Sequence, residues 1–310
     1  MLKAIRAFFA KREVVEVETP ALSEAAATDP ALTSLDLNVA SLGGRHYLHT
    51  SPEAAMKLLL AAGSGDIFQI ARVYRDAELG RWHQPEFVLL EWYRTGFDEF
   101  DLMDEVFELL RIVLEPRFGT LARLNLSFRQ AFDTAFNIDP LALDTAGLER
   151  LTQALADRDI DVPSEIHPDA LLDLALSSVL MPGWPQQTAV FLTDYPVSQA
   201  ALAAIKPQDP PVAARFEVFI NGLELGNGFR ELTDPVEQRR RFEADLFTRR
   251  ETGMPVVPID TAFLAALEHG LPDCAGVAIG IDRLIALRMG AESLAEAVNL
   301  PHKMGSDPFS

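Results

Sequence analysis

Two segments of alternating apolar residues, separated by a polar loop, form the clearest pattern in the chain. Residues 68–75 and 85–93 are rich in β-branched and aromatic residues, whereas the residues between them are polar and include a glycine. This pattern predicts two antiparallel strands joined by a charged loop. Because successive side chains point to opposite faces of a strand, Phe87, Glu91 and Tyr93 are expected to share one face.

The side chains of this segment suit a nucleotide and an amine. An adenine stacks on a flat apolar surface, a phosphate binds a guanidinium fork, and an ammonium group binds a carboxylate. Phe87, Arg75 and Glu91 supply these three groups, with Arg75 placed where the first strand meets the loop. The segment therefore predicts one wall of a nucleotide site.

A second hairpin is predicted around the Asn-Gly pair at 221–222. Asn-Gly between alternating apolar residues is the strongest short-range signal for a two-residue turn. Such a turn places Ile220 opposite Leu223 and Val218 opposite Leu225. These four aliphatic side chains would make one side of the hairpin part of the core.

The other side of this hairpin carries two carboxylates. The same register places Phe219 opposite Glu224 and Glu217 opposite Gly226. Glu217 and Glu224 then become diagonal neighbours, about 7 to 8 Å apart or less at Cβ. Two carboxylates on an open face suit a divalent cation.

Two glycines follow in the second strand of the hairpin. Gly226 and Gly228 indicate a bulge or a close approach of a ligand to the backbone. Beyond this irregularity, Asn227 and Glu231 can point into the same cavity as the carboxylates.

The remaining pattern predicts helices on either side of the strands. A helix is expected over 2–11, followed by a strand over 14–20 that ends at a proline, and another helix over 101–114. Thr50 and Glu53 have the spacing of a capping box at a helix start. Residues 127–182 show helical periodicity without a chemical motif, and 189–196 resemble a buried strand.

The composition is that of a globular protein with a full core. Of 310 residues, 48% are hydrophobic and 24% are charged, and no run of about 18 apolar residues occurs. No membrane association is expected, and the cytoplasm is the expected location. The single cysteine, Cys274, excludes an internal disulfide framework and a site with several cysteine ligands.

The charge balance argues against nucleic acid as a partner. The formal net charge is -19, whereas nucleic-acid binding relies on many Lys and Arg contacts to phosphates. The arginines at 239–241 and 249–250 are the candidate exception. They are expected on the solvated face of a helix that has Asp234 as its N-cap and Pro235 as its first residue.

Three segments, in the same order along the chain, resemble the motifs of class II aminoacyl-tRNA synthetases. Motif 1 matches the first helix and the strand ending at Pro20. Motif 2 matches Tyr74-Arg75-Asp76 and His83-Gln84-Pro85-Glu86-Phe87. Motif 3 matches Gly276-Val-Ala278-Ile-Gly280-Ile-Asp282-Arg283. The resemblance implies an α+β fold in which an antiparallel β-sheet is flanked by helices. It also implies that residues 1–310 form a single catalytic domain.

Further segments resemble the lysyl-tRNA synthetases within this class. They are Thr50-Ser51-Pro52-Glu53, Leu90-Glu91-Trp92-Tyr93 and Glu224-Leu-Gly-Asn227-Gly-Phe-Arg-Glu231. The chain departs from that pattern in two ways. It begins shortly before Pro20, so the anticodon-binding OB-fold domain is expected to be absent, and Ala278 replaces the middle glycine of motif 3, which adds a methyl group to the pocket floor.

Both departures, together with Tyr195-Pro196-Val-Ser198-Gln199-Ala200, are similar to a paralogous branch of the lysyl-tRNA synthetases. Members of that branch attach (R)-β-lysine to a lysine of translation elongation factor P. The resemblance implies a homodimeric ligase that uses ATP and Mg²⁺, binds β-lysine or lysine, and acts on elongation factor P, with tRNA an unlikely substrate.

The resemblance also implies a role for each matching residue. The expected catalytic residues are Arg75, which would contact the α-phosphate of ATP, and Arg283, which would contact the γ-phosphate. His83 is expected to contact the polyphosphate and Phe87 to stack against adenine. Glu217 and Glu224 are expected to hold Mg²⁺. The residues expected to bind the diamine substrate are Ser51, Glu53, Glu91, Tyr93, Asn227, Glu231 and Ala278.

Alternative readings remain open at this point. Glu53 can serve as a helix cap or as a ligand, and a histidine such as His83 in a loop is commonly a surface residue. Arg283 lies close to the positive end of its predicted helix, which is unfavourable unless a phosphate compensates. The alternatives for the whole protein are a compact lysyl-tRNA synthetase-like ligase acting on tRNA or a small amine, and a non-catalytic paralogue with a regulatory role.

Overall fold

The computed structural model describes residues 1–298, which form a layered α+β fold. The strands are β1 Val15–Glu16, β2 Leu22–Ser23, β3 Asp36–Val39, β4 Gly44–Leu48, β5 Ile67–Tyr74, β6 Glu86–Thr95, β7 Ala122–Ser127, β8 Thr188–Pro196, β9 Ile205–Lys206, β10 Val212–Ile220, β11 Leu223–Arg230 and β12 Cys274–Gly280. The helices are α1 Leu2–Ala10, α2 Glu53–Ala61, α3 Glu99–Phe118, α4 Phe128–Phe136, α5 Thr145–Ala156, α6 Pro168–Ala175, α7 Met181–Gly183, α8 Pro235–Glu251, α9 Thr261–Gly270, α10 Ile281–Met289 and α11 Leu294–Ala297. None of the helices in this part of the chain is long and apolar enough to cross a membrane.

A large, mainly antiparallel sheet organises the fold. Within residues 1–298 its strand order is β1-β5-β6-β12-β11-β10-β8-β7, with β9 paired to β10. Among the strands described, only the outer pairs β1–β5 and β7–β8 are parallel. A smaller sheet of β2, β4 and β3 lies apart from it. The α+β architecture predicted from the motifs is confirmed.

The predicted strand pair around the charged loop is also confirmed. β5 and β6 pair antiparallel without a bulge, from Ile67 opposite Tyr93 to Tyr74 opposite Glu86. β12 pairs with the other edge of β6 and places Ala278 opposite Glu91. The motif 2 and motif 3 strands therefore lie side by side in the centre of the sheet.

The two faces of the sheet are covered differently. One face packs against α1, α3 and α10 in a continuous core that includes Phe9, Trp92 and Val277. On the other face, α4 to α6 cover the β7, β8 and β10 end, while α2 and α9 cover the β5, β6 and β12 end. The polar side chains of the central strands face the space between these two groups of helices.

Two sequence predictions near the N-terminus are corrected. The strand expected over 14–20 is only Val15–Glu16. The capping box at Thr50 is wrong, because the helix begins at Glu53 after Pro52 and has no side-chain cap. Ser51 Oγ instead accepts the Glu53 N–H at 3.1 Å, so the Glu53 carboxylate is available for another role.

The second hairpin has its predicted turn but a different register. Ile220 lies opposite Leu223 and Phe219 opposite Glu224, as predicted. A bulge then shifts the pairing, so Val218 faces Gly226 rather than Leu225. The four aliphatic side chains still lie together in the core between the sheet and α1, α3 and α10. The alternation of side chains therefore predicted their face correctly, whereas the glycine-rich strand accommodated an extra residue.

The expected solvated arginine face of α8 is partly wrong. Asp234 is the N-cap and Pro235 the first residue, as predicted. Arg249, however, is only 2% exposed. Its guanidinium donates to the carbonyl oxygens of Ala27, Thr28, Asp29 and Leu32. Arg249 therefore attaches an irregular segment to α8 rather than forming part of a basic surface.

Candidate active site

A cavity of about 2010 Å³ lies over the central strands on the side of α2, α6 and α8. Every residue that the sequence analysis assigned to a site lines this cavity. They are Ser51, Glu53, Arg75, His83, Phe87, Glu91, Tyr93, Glu217, Glu224, Asn227, Glu231, Ala278 and Arg283. The tertiary structure thus brings together residues that are more than two hundred positions apart in the chain.

The floor of the cavity is the motif 3 strand, β12. At one end, a Cβ on Gly276 would lie 2.3 Å from Tyr93 Cε1 and 2.6 Å from Glu231 Oε1, so only glycine lets these two side chains converge. At the other end, Gly280 lies beside the Arg283 side chain. The two glycines are four residues apart, or about 13 Å along a strand. Ala278 lies between them.

One end of the cavity, the acidic end, consists of Ser51, Glu53, Glu91, Tyr93 and Glu231. Glu91 accepts hydrogen bonds from Ser51 Oγ at 2.5 Å and from Tyr93 Oη at 2.6 Å. Burial and the neighbouring charge of Glu53 raise the pKa of Glu91 to about 7. A cation entering here would find a carboxylate that is oriented by two hydroxyl groups and has lost most of its contact with water.

Lys57, a residue that the sequence analysis missed, lies behind the acidic end and pairs with two of its carboxylates without lining the cavity. Its side chain is 1% exposed, and Nζ lies 2.6 Å from Glu53 Oε1 and 2.5 Å from Glu231 Oε2. Burial opposes a charged amine, but the charges of Glu231 and Glu53 together raise the pKa of Lys57. Burial likewise raises the pKa of Glu231 to about 8, and Lys57 offsets this only in part. The sequence signal that could have identified Lys57 is its position four residues after Glu53, because side chains four residues apart are neighbours on a helix.

The other end, the phosphate end, consists of His83, Glu224 and Arg283. Arg283 Nη1 donates to the Glu224 carbonyl oxygen at 2.9 Å, and Nη2 lies 2.7 Å from His83 Nε2. Burial and the charge of Arg283 lower the pKa of His83, so a neutral imidazole can accept this hydrogen bond. The guanidinium is thereby held near the start of α10.

Arg75 and Phe87 lie between the two ends. The guanidinium carbon of Arg75 is 5.1 Å from the centroid of the Phe87 ring. Arg75 Nε donates to the Thr50 carbonyl oxygen at 3.3 Å, immediately before Ser51 of the acidic end. Arg75 is therefore placed to contact a phosphate next to a bound amino acid, while Arg283 lies farther along the cavity.

The bulge in the second hairpin changes the surroundings of Glu217. Glu217 lies opposite Asn227, not opposite Gly226 as predicted. Its carboxylate accepts hydrogen bonds from Tyr195 Oη at 2.7 Å and from Arg215 Nη2 at 2.6 Å. Arg215 also donates to Asn227 Oδ1 at 3.1 Å. Sequence reasoning missed Arg215, although it faces the cavity from the same strand as Glu217.

The carboxylates of Glu217 and Glu224 are compatible with Mg²⁺. Burial and the charge of Glu224 raise the pKa of Glu217, and a cation between them would relieve this repulsion. Within residues 1–298, no group of three or more Asp, Glu, His or Cys side chains is arranged to hold a metal ion. Two carboxylates suffice where Mg²⁺ takes its other ligands from substrate phosphates and water.

Helix α6 contributes to the cavity, although its segment showed no chemical motif in the sequence. Ser198 Oγ donates to Asp169 Oδ1 at 2.7 Å, and Gln199 Nε2 donates to Asp173 Oδ1 at 3.0 Å. All four side chains line the cavity. The residues between 127 and 182 are therefore not only connecting structure, because one of their helices forms part of the cavity wall.

Comparison with known proteins agrees with this geometry. A model of the family described as tRNA synthetases class II (D, K and N) matches residues 1–304. The elongation factor P–(R)-β-lysine ligase of Vibrio cholerae serotype O1 is 47% identical over 305 residues, covering 97% of this chain and 93% of the relative. The ligases of the same name from Proteus mirabilis and Klebsiella pneumoniae are 47% and 45% identical, and each covers 96% of this chain and 91% of the relative. The fold, the motif strands and these matches show that the chain belongs to the class II tRNA synthetase family.

Proposed function

We propose that this chain activates (R)-β-lysine with ATP and transfers the β-lysyl group to a lysine side chain of translation elongation factor P. One observation carries the proposal: a single cavity joins an acidic end, suited to ammonium groups, to two arginines suited to a polyphosphate. The relatives named as ligases of this kind match nearly the whole chain.

The first step needs no general base. A carboxylate oxygen of the amino acid attacks the α-phosphorus of ATP, and the bond from that phosphorus to the bridging oxygen of pyrophosphate breaks. Catalysis then consists of positioning the two substrates and stabilising the charge that develops on the phosphates. Arg75 would contact the α-phosphate and Arg283 the γ-phosphate, with His83 supporting Arg283.

The remaining nucleotide contacts follow from the cavity wall. Phe87 would stack against adenine. Glu217 and Glu224 would hold Mg²⁺, which would neutralise charge on the phosphates. Within the acidic end, Glu91 and Glu231 would bind the ammonium groups of the diamine, with Tyr93, Ser51 and Glu53 orienting them and Asn227 and Ala278 limiting the space beside them.

The second step transfers the acyl group. The amine nitrogen of the target lysine attacks the carbonyl carbon of the adenylate, AMP leaves with the bonding electron pair, and the new amide loses a proton.

We further propose that the described residues act as one catalytic domain, because both helical layers pack on the same sheet. A homodimer and a cytoplasmic location belong to the proposal and follow from the family resemblance.

The test compares the two possible acceptors. Purified protein, ATP, Mg²⁺ and (R)-β-lysine are incubated with elongation factor P or with tRNA(Lys), and the products are measured by mass spectrometry and by acid-precipitable label. The expected result is a β-lysyl mass shift on elongation factor P and negligible charging of tRNA. Efficient charging of tRNA with no change in elongation factor P would favour the synthetase-like alternative, and no pyrophosphate exchange at all would favour a non-catalytic role.

Replacing Ala278 with glycine is expected to weaken discrimination against α-lysine. Ala278 lies on the cavity floor between Glu91 and Asn227, its partners on the two neighbouring strands. One methyl group in a pocket contributes about 1–3 kcal/mol, so the ratio of α-lysine to β-lysine activation should rise about ten- to a hundredfold. Specificity constants from ATP–pyrophosphate exchange measure this ratio. An unchanged ratio would show that other residues discriminate between the two isomers, and Ser198 and Gln199 would be the next candidates.

Affinity for the diamine is expected to rise with pH. The pKa values of Glu91 and Glu231 are raised to about 7 and about 8, so below these values the carboxylates are largely protonated and carry no charge. The substrate amines stay protonated in this range, since an unperturbed lysine amine has a pKa of about 10.4. Titration calorimetry should show tighter binding at pH 8.5 than at pH 6, with proton release on binding below pH 8. Affinity that is flat over this range would contradict the assignment.

A further inference from the structure

Lys57 is a buried cation at the site of a cationic substrate. Its ammonium group is paired with Glu53 and Glu231, and it lies 5.4 Å and 5.5 Å from the ring centroids of Phe229 and Phe263. A lysine is rarely buried unless it is paired, because its charge loses hydration. The reaction steps described above do not use this residue.

The carboxylate of Glu231 can accept a second hydrogen-bond donor in addition to its ion pair with Lys57. Neither carboxylate oxygen has a partner with hydrogen-bond geometry among residues 1–298; Oε2 is nevertheless ion-paired with Lys57 at 2.5 Å, whereas Oε1 has no cation beside it. The side chain is 1% exposed, and Oε1 points over Gly276 beside Tyr93. A buried carboxylate oxygen without a donor is costly. The position therefore suits an ammonium group of a ligand.

Charge counting connects these two observations. The acidic end contains the three carboxylates of Glu53, Glu91 and Glu231, while Tyr93 is neutral because its pKa is raised well above the usual value by burial. Lys57 supplies one positive charge, which leaves two net negative charges when all three carboxylates are ionised, as they are with the diamine bound. The nearby Cys274 thiol is also neutral, since burial raises its pKa. A substrate with two ammonium groups matches this balance.

We infer that Lys57 is a positioning and specificity-determining residue: it neutralises one of three carboxylates and holds Glu231 so that its second oxygen faces the substrate. This inference rests on the proposed function. Without Lys57, three carboxylates would repel one another in a buried space and bind protons instead of substrate. The residue thus matches the pocket to a doubly charged amino acid rather than contacting the reacting atoms.

The first experiment replaces Lys57 with methionine, which has a similar length and no charge. The KM for (R)-β-lysine in ATP–pyrophosphate exchange should rise at least about tenfold, because a buried ion pair is broken. The KM for ATP should change less than about twofold, since no phosphate contact is lost. Lys206→Met is the matched control: Lys206 also pairs with two carboxylates, Glu99 and Asp194, but neither of these lines the cavity, whereas both partners of Lys57 do.

The second experiment restores the charge balance. In the double variant Lys57→Met with Glu53→Gln, the acidic end again has two net negative charges. Its KM for (R)-β-lysine should be at least about threefold lower than that of Lys57→Met alone. If the single variant does not fold, the double variant is compared with Glu53→Gln alone. The double variant should then have the same or a lower KM, and a tenfold higher KM would overturn the inference.

The pH profile separates a charge effect from a packing effect. The charge of Lys57 lowers the pKa values of Glu231 and Glu91, so its removal should move the acidic limb of kcat/KM for β-lysine upward by at least about one pH unit. The double variant should move it back, and Lys206→Met should leave it in place. A wild-type protein that shows no exchange with β-lysine would refute the proposed function itself. Normal exchange in the wild type, with an unchanged KM and profile in folded Lys57→Met, would refute only the role of Lys57.

Discussion

Replacing Arg283 with alanine is expected to lower β-lysine-dependent ATP–pyrophosphate exchange at least about a hundredfold. The guanidinium is held in place by the Glu224 carbonyl oxygen and His83, and it faces the cavity from the first turn of α10. A preorganised charge of this kind stabilises the transition state without reorganisation. The alanine side chain removes that charge while leaving the helix backbone intact.

The matched control for Arg283 lies on the same helix. Arg288 donates to the Val113 carbonyl oxygen at 2.8 Å and does not line the cavity. Arg288→Ala should therefore retain exchange activity within about threefold, even if its melting temperature falls. Exchange rates near the wild-type value in folded Arg283→Ala would show that the phosphate end has been assigned wrongly.

Replacing Glu91 with glutamine is the second change with a large expected effect. Glu91 is 2% exposed and is oriented by Ser51 and Tyr93. Glutamine has nearly the same shape but no charge, so an ammonium group would remain buried without its counter-ion. A loss of about 2–5 kcal/mol is typical for such a change, and the KM for (R)-β-lysine should rise roughly a hundredfold. The KM for ATP should stay close to its wild-type value.

Glu105 offers a control for this substitution. It is also a buried carboxylate, and it accepts a hydrogen bond from Trp92 Nε1 at 2.9 Å, on the face of β6 opposite to the cavity. Glu105→Gln should change thermal stability but not the KM for β-lysine. If Glu91→Gln affects stability alone, in the manner of Glu105→Gln, Glu91 belongs to the structural core and not to the amino-acid site.

The strand signals were strong enough to predict much of the cavity lining from the sequence. Side-chain alternation in β6 correctly placed Phe87, Glu91 and Tyr93 on one face, which lines the cavity. The Asn-Gly turn likewise predicted the pairing of Ile220 with Leu223. These features depend on local backbone geometry, so a short stretch of sequence contains the information that determines them.

The hairpin register and the start of α2 could not be predicted from local sequence. The bulge that places Glu217 opposite Asn227 arises where glycine lets β12 approach closely; a Cβ on Gly226 would lie 2.7 Å from the Ala278 carbonyl oxygen. Thr50 and Glu53 had the spacing of a capping box, yet the helix begins at Glu53. In each case contacts with distant strands or side chains outweighed the local preference.

By itself, the sequence determined the α+β architecture, the class II motifs and many of the residues that line the cavity, because alternation and motif spacing are local properties of the chain. Only the tertiary structure decided how those residues are paired. Lys57 and Glu231 are far apart in sequence, and their contact depends on α2 packing against β6 and β12. The charge balance of the acidic end, and the raised pKa values of Glu91 and Glu231, follow from burial that no single segment specifies.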